Sequence, residues 1–161
     1  MRSEISIPAT VPYPGYGEEA ARSFRAHAGP FILQFPPLLR WSGLERAVFV
    51  EHLDRFLGEL PREFQYAVEV RDRTLLGPDY ASALSRNGAA HVYSAWTAMP
   101  LPADQADGIP VDAMPFVVVR LLLRPGATYA EQREAFAPFD RLVAPDEPLR
   151  SQVVDLVGRA V

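Results

Sequence analysis

Two residue types are missing from this chain, and each absence removes a group of functions. There is no cysteine among its 161 residues, which excludes disulfides, thiolate nucleophiles and cysteine-ligated zinc. There is no lysine either, because all 16 basic residues are arginine. Schiff-base chemistry and a P-loop lysine are therefore out of reach. The longest apolar runs are strand-sized, short of the ~20 residues a membrane span requires. Glu4, Pro8, Pro12 and Pro14 interrupt the place where the apolar core of a signal peptide would lie, so a cytoplasmic location is expected. The net charge of -4 and pI near 5.4 lack the basic footprint of a phosphate-backbone binder, so no nucleic-acid partner is expected.

What is present reads as one globular domain. Hydrophobic residues make up 48% of the chain and charged residues 22%, enough to bury a core of ordinary size. Residues 1–28 differ in texture from the rest. Pro8, Pro12, Pro14, Gly15 and Gly17 predict an extended arm, followed by a short helix from Glu18 to Ala26. From Gly29 to Val161 the pattern is regular.

Phe31-Ile32-Leu33-Gln34-Phe35 predicts a short buried strand stopped by Pro36-Pro37. Ser42 and Glu45 are spaced as a capping box for an amphipathic helix with the stripe Phe49, Leu53, Phe56, Leu57 and Leu60. A strand follows at Tyr66 to Arg71, then a helix opened by Pro78-Asp79 and closed by Asn87-Gly88. Ala90 to Trp96 is a third strand, and the Pro-rich, Asp-containing segment from Ala98 to Pro115 reads as a loop at the mouth. Phe116 to Leu123 is a fourth strand whose unbroken apolar character predicts cover on both faces. Thr128 with Glu131 caps another helix, interrupted by Pro138. A last helix after Asp146 carries Leu149, Val153, Leu156, Val157 and Ala160. Strand and helix in alternation predict βαβ units and a parallel sheet. Such a sheet is either open and doubly wound or part of a (β/α)₈ barrel, and four units amount to half of a barrel.

Charges in two of these strands point to a site. Alternation places Ala67, Glu69 and Arg71 on one face and Tyr66, Val68 and Val70 on the other. Arg120 likewise interrupts a run of Val and Leu. Ligands bind at the carboxyl ends of parallel strands, and Gln34, Glu69 and Arg71 lie late in theirs. Glu69 is thus a candidate catalytic base or metal ligand and Arg71 an anion clamp. Gln34 and Arg120 are candidate ligand-binding residues, and Trp96, with Tyr93 and Trp41, is a candidate pocket wall. The alternative is a structural ion network joining Glu69, Arg71 and Arg120.

Other patterns carry less. His27, His52 and His91 form no local metal motif, and no cofactor is specified. Gly15-Tyr16-Gly17-Glu18-Glu19-Ala20 fits a loose dinucleotide pattern, but no strand precedes it and two glutamates would face the phosphates.

Phe31-Ile32-Leu33-Gln34-Phe35-Pro36-Pro37, Phe56-Leu57, Leu60-Pro61, Tyr66-Ala67-Val68-Glu69-Val70-Arg71, Gly88-Ala89-Ala90 and the Val117–Leu121 strand resemble, in that order, the central section of the YecE-like family, also called domain of unknown function 72. The resemblance covers most of the chain from Gly29. It implies a parallel (β/α) barrel of the TIM type, here incomplete at about four β/α units. The family's first strand, of Gly-Thr-Ser-Gly-Trp type, and its last, Asn-rich strand have no counterpart. Asp72 stands where a histidine is common, Arg120-Leu121-Leu122-Leu123 replaces an Arg-Leu-His-Gly type of strand, and Ser94-Ala95 replaces a strand-end aspartate.

The resulting expectation is an uncharacterised barrel protein that binds a small anionic or polar ligand at the strand ends. The alternative is a non-catalytic truncated remnant, or a half-barrel that self-associates or takes a partner chain through an open sheet edge.

Overall fold

A computed structural model describes residues 22–23, 27–37, 45–123 and 126–160. The expected arm, nearly all of the Glu18–Ala26 helix, the Gly15–Ala20 pattern, Trp41 and Ser42 lie outside the described residues.

Four strands alternate with helices: β1 (Phe31–Phe35), α1 (Arg46–Glu59), β2 (Tyr66–Val70), α2 (Pro78–Arg86), β3 (Ala90–Ala95), α3 (Pro102–Gly108) and β4 (Val118–Leu121). Two further helices follow, α4 (Tyr129–Phe136) and α5 (Glu147–Arg159). The strands form one parallel sheet in the order β1-β2-β3-β4. Each new strand is added on the same side of the last, without the reversal that defines a doubly wound sheet. The arrangement is consistent with a partial β/α barrel.

Alternation along each strand sorts the side chains between two faces. Val68 and Val70 of β2, with Leu33 and Phe35 of β1, pack against Phe49, Leu53 and Leu57 of α1 and Tyr80 and Leu84 of α2. Phe35 meets Phe49 edge-on at 5.2 Å. Each fully buried side chain of this size contributes roughly 1.5–3 kcal/mol. A second cluster of Tyr93, Ala106, Val111 and Leu156 ties α3 and α5 to β3.

The termini of the helices follow from local chemistry. Pro78 starts α2, where its missing N–H costs nothing. Gly88 follows the Asn87 cap with φ of +63°, a left-handed conformation that disfavours any residue with a Cβ. Thr128 and Glu131 form the expected capping box on α4. At α1 the cap position falls on Glu45, which makes no side-chain capping bond. Glu45 is therefore not the third helical residue that a box with Ser42 requires.

Several expectations are overturned. β1 and β4 were expected to be buried, yet Ile32 is 40% and Leu121 49% exposed. These are the outermost strands, and among the described residues nothing pairs with their outer edges. Apolar runs specify strands that can be covered, but the cover comes from neighbours. Phe56 and Val157 also lie in solvent, at the margins of their helical stripes, and Val50 takes a core position in α1 instead. The Ala98–Pro115 segment is the β3–β4 crossover, not a mouth loop. It contains α3 and a 3-10 turn at Val111–Ala113, with Pro102, Gln105, Ala106 and Val111 buried. Its acids Asp104, Asp107 and Asp112 are exposed, as expected of solvated groups. Tyr93 belongs to the helix-facing core, where its hydroxyl donates to Ile109 O at 2.8 Å.

One polar chain runs through this core. Tyr80 Oη lies 3.0 Å from His91 Nδ1, and His91 Nε2 lies 3.0 Å from Gln105 Oε1. The amide nitrogen of Gln105 donates to Ser94 O and Pro100 O, which leaves its oxygen to accept from His91. The imidazole is thus protonated on Nε2 and its Nδ1 accepts from the Tyr80 hydroxyl, whose one proton is shared with Val68 O at 3.3 Å. Burial pushes His91 down to a pKa of about 4 and raises that of the Tyr80 hydroxyl. The far end of this chain holds the backbone of β3 at Ser94, beside the site described next. Among the described residues no helix is long and apolar enough to cross a membrane.

Candidate functional site

The carboxyl ends of the four strands bring together side chains from well separated parts of the sequence. Register places Gln34 of β1 beside Glu69 of β2, and Ser94 of β3 beside Arg120 of β4. Arg71 and Trp96 follow the last residues of β2 and β3. Five of the site residues expected from the sequence, Gln34, Glu69, Arg71, Trp96 and Arg120, therefore meet at one end of the sheet.

Glu69 is the centre of the cluster and is fully buried, at 0% exposure. Arg71 Nε donates to its Oε1 at 3.0 Å, and Arg120 Nη1 donates to its Oε2. A buried carboxylate requires such partners, since an unpaired one costs several kcal/mol. Both guanidiniums also reach Gln34: Arg71 Nη2 lies 2.8 Å and Arg120 Nη1 3.4 Å from its Oε1. The Arg71 guanidinium carbon sits 3.8 Å from the centroid of the Trp96 ring, so the aromatic face fixes the plane of the cation. Within the ion-paired set itself two guanidiniums share one carboxylate.

The family model described as a protein of unknown function, DUF72, matches residues 16–152. The chain belongs to the DUF72 family. No curated protein and no solved structure matches it. The DUF72 match spans every residue of the cluster, as well as the four strands and the crossovers that position it.

Two polar groups beside the cluster in this DUF72 chain were not singled out as ligands from sequence. Ser94 is fully buried, and its Oγ has no hydrogen-bond partner among the described residues. Its position two residues after Val92 and beside Arg120 was the available signal. Asp72 directly follows Arg71. Its Oδ1 accepts from the backbone and hydroxyl of Thr74, at 3.1 and 2.6 Å, and its buried Oδ2 has no partner among the described residues. Asp72 thereby caps the Arg73–Leu75 turn.

Elsewhere the structure offers less. A cavity of ≈ 250 Å³ lies at the start of β2, lined in part by Leu57, Leu60, Phe64 and Tyr66. Its arginines are committed to structure, Arg62 to Asn87 O at 3.0 Å and Arg86 to Asp54 at 2.8 Å. Among the described residues no group of three or more His, Asp and Glu side chains is placed to hold a metal ion.

Proposed function

We propose that this DUF72 chain binds a small oxyanion-bearing ligand at the carboxyl ends of its strands, in the mouth of a TIM-type barrel of the YecE-like kind. Arg71 and Arg120 are the anchors, and the observation that carries the reading is their convergence on a single buried carboxylate. Glu69 satisfies one hydrogen bond of each guanidinium. Five N–H donors on each arginine leave others free to meet a ligand. Guanidinium groups suit planar or tetrahedral oxyanions because paired N–H bonds match two acceptor oxygens.

In this reading Glu69 is a positioning residue. Both of its oxygens are engaged by cations and the side chain is sealed from solvent, so it is not placed to remove a proton from a ligand. Trp96 packs against the Arg71 guanidinium and holds it in place. Calorimetric titration of the chain with inorganic phosphate and with acetate tests the assignment. Binding that disappears in Arg120→Met, with folding preserved, supports it. Equal binding by the variant rejects it.

A second reading is favoured by the exposure of Ile32 and Leu121 on the two outermost strands. Here the chain acts by association through an open sheet edge, with itself or a partner chain. The mass in solution separates the two: a folded monomer of 17.9 kDa rejects self-association and leaves the anion site standing.

A further inference from the structure

The point between the two guanidiniums is already filled by an oxygen of the protein itself. Gln34 Oε1 is 2.8 Å from Arg71 Nη2 and 3.4 Å from Arg120 Nη1. The identity of that atom follows from its neighbours, since two cationic donors require an acceptor and the amide nitrogen has none to offer. We propose that Gln34 is a placeholder, whose carboxamide oxygen occupies the position taken by a ligand oxygen and swings out when the anion binds.

This rests on the anion-binding reading of the mouth and adds a regulatory contact to it. Three features support the exchange. Gln34 is exposed and lies on the edge strand β1, so its side chain leaves the cluster without opening the core. Its oxygen is neutral, whereas an ionised acceptor adds charge–charge attraction to the hydrogen bonds of both guanidiniums. Its reach is also limited: Arg120 Nη1 is held at the long end of hydrogen-bond distance. A phosphate or carboxylate oxygen would meet both guanidiniums at full strength. The class of ligand is a compact monoanionic or dianionic group, a phosphate ester or a carboxylate. Neutral polar molecules have no advantage over the amide they would displace.

The placeholder reverses the sign expected of an ordinary binding residue. A direct ligand contact, when truncated, weakens binding. A competitor, when truncated, tightens it. Titration of the full chain with inorganic phosphate, and separately with acetate, is expected to give tighter binding for Gln34→Ala than for the unaltered chain. The gain should be about ten- to a hundredfold, the worth of one hydrogen bond to a charged group. Gln34→Glu places a tethered carboxylate in the same position and is expected to weaken binding of either probe at least about tenfold. Thermal melts of both variants check that the sheet is intact, and Gln34→Ser replaces Gln34→Ala if the latter does not fold.

The outcomes separate the two layers of the proposal. If the unaltered chain binds phosphate or acetate and Gln34→Ala binds it equally or more weakly, the placeholder is rejected and the anion site stands. Undiminished binding by Gln34→Glu rejects it equally. If neither the unaltered chain nor Gln34→Ala binds either probe, the anion site itself is rejected and the placeholder with it. A preference for phosphate over acetate, or the reverse, assigns the ligand's head group.

Discussion

Glu69 and Arg120 are joined by an ion pair although a whole strand, β3, lies between the strands that carry them. Strands two apart in a sheet are separated by roughly 9–10 Å. The pair forms because Arg120 has a long side chain on the same face as Glu69. Its neighbour in register on β3 is the small residue Ser94. This spanning contact, with Arg71 closing the other side of the carboxylate, makes one unit of three strands at their carboxyl ends. The cluster is both a brace across the sheet and a preorganised pair of cations.

Removing the carboxylate should therefore cost stability as well as binding. Glu69→Ala is expected to destabilise the fold by about 2–4 kcal/mol, because two guanidiniums lose the acceptor they converge on. Glu69→Gln should cost less, since its amide oxygen still accepts one bond. Urea unfolding midpoints measure both. Midpoints unchanged in both variants would show that the ion pairs contribute nothing in solution.

Arg71 is tied by geometry as well as by charge. Arg71→Lys keeps the charge but loses the simultaneous bonds to Glu69 and Gln34 and the flat stacking on Trp96. Phosphate affinity is expected to fall about tenfold, equivalent to ~1.4 kcal/mol. Calorimetry reads the change, and affinity retained in the lysine variant would show that point charge alone is sufficient.

The convergence of Gln34, Glu69, Arg71, Trp96 and Arg120 was legible because parallel strands bring their carboxyl ends together. Position late in a strand, with alternation, is enough to place a side chain in that layer. Tyr93 shows the limit of this reasoning. It sits one residue from Ser94, and that single step turns it to the helices rather than the mouth. Exposure of β1 and β4 was not legible, because Val and Leu runs report strand character and not which strand lies at the edge. The helix at Pro102–Gly108 was hidden by Pro and Asp content. Read as a start signal, Pro102 with Gln105, Ala106 and Ile109 at helical spacing would have revealed it.

The buried histidine gives the fold an acid sensitivity of known sign. His91 has a pKa of about 4 in the folded chain against ~6.5 when unfolded. Below pH 6.5 the unfolded state takes up the proton first, so stability is full above that value and declines as pH falls towards 4. At pH 5 the loss from this group is roughly 2 kcal/mol. Urea unfolding at pH 7.5 and pH 5 should show it. The excess over His91→Gln isolates it from His27 and His52, and an equal pH slope in the two proteins would contradict it.

Two glycines should respond to alanine with opposite signs. Gly88→Ala forces a Cβ into a conformation with φ of +63° and is expected to cost about 1–2 kcal/mol. Gly108 closes α3 with nothing within 4 Å of its added Cβ. Its replacement by alanine should stabilise by about 0.5–1 kcal/mol. Thermal melting of the two variants makes the comparison, and shifts of the same sign would contradict the backbone assignment.

The most direct test of the anion site is to locate an anion in it. Crystals of the chain soaked in arsenate, a tetrahedral analogue of phosphate, provide an anomalous signal at the arsenic position. The expected result is a peak within hydrogen-bond reach of both the Arg71 and Arg120 guanidiniums, with the Gln34 side chain turned away. A peak only at other arginines, or none at the carboxyl ends of the strands, would contradict it.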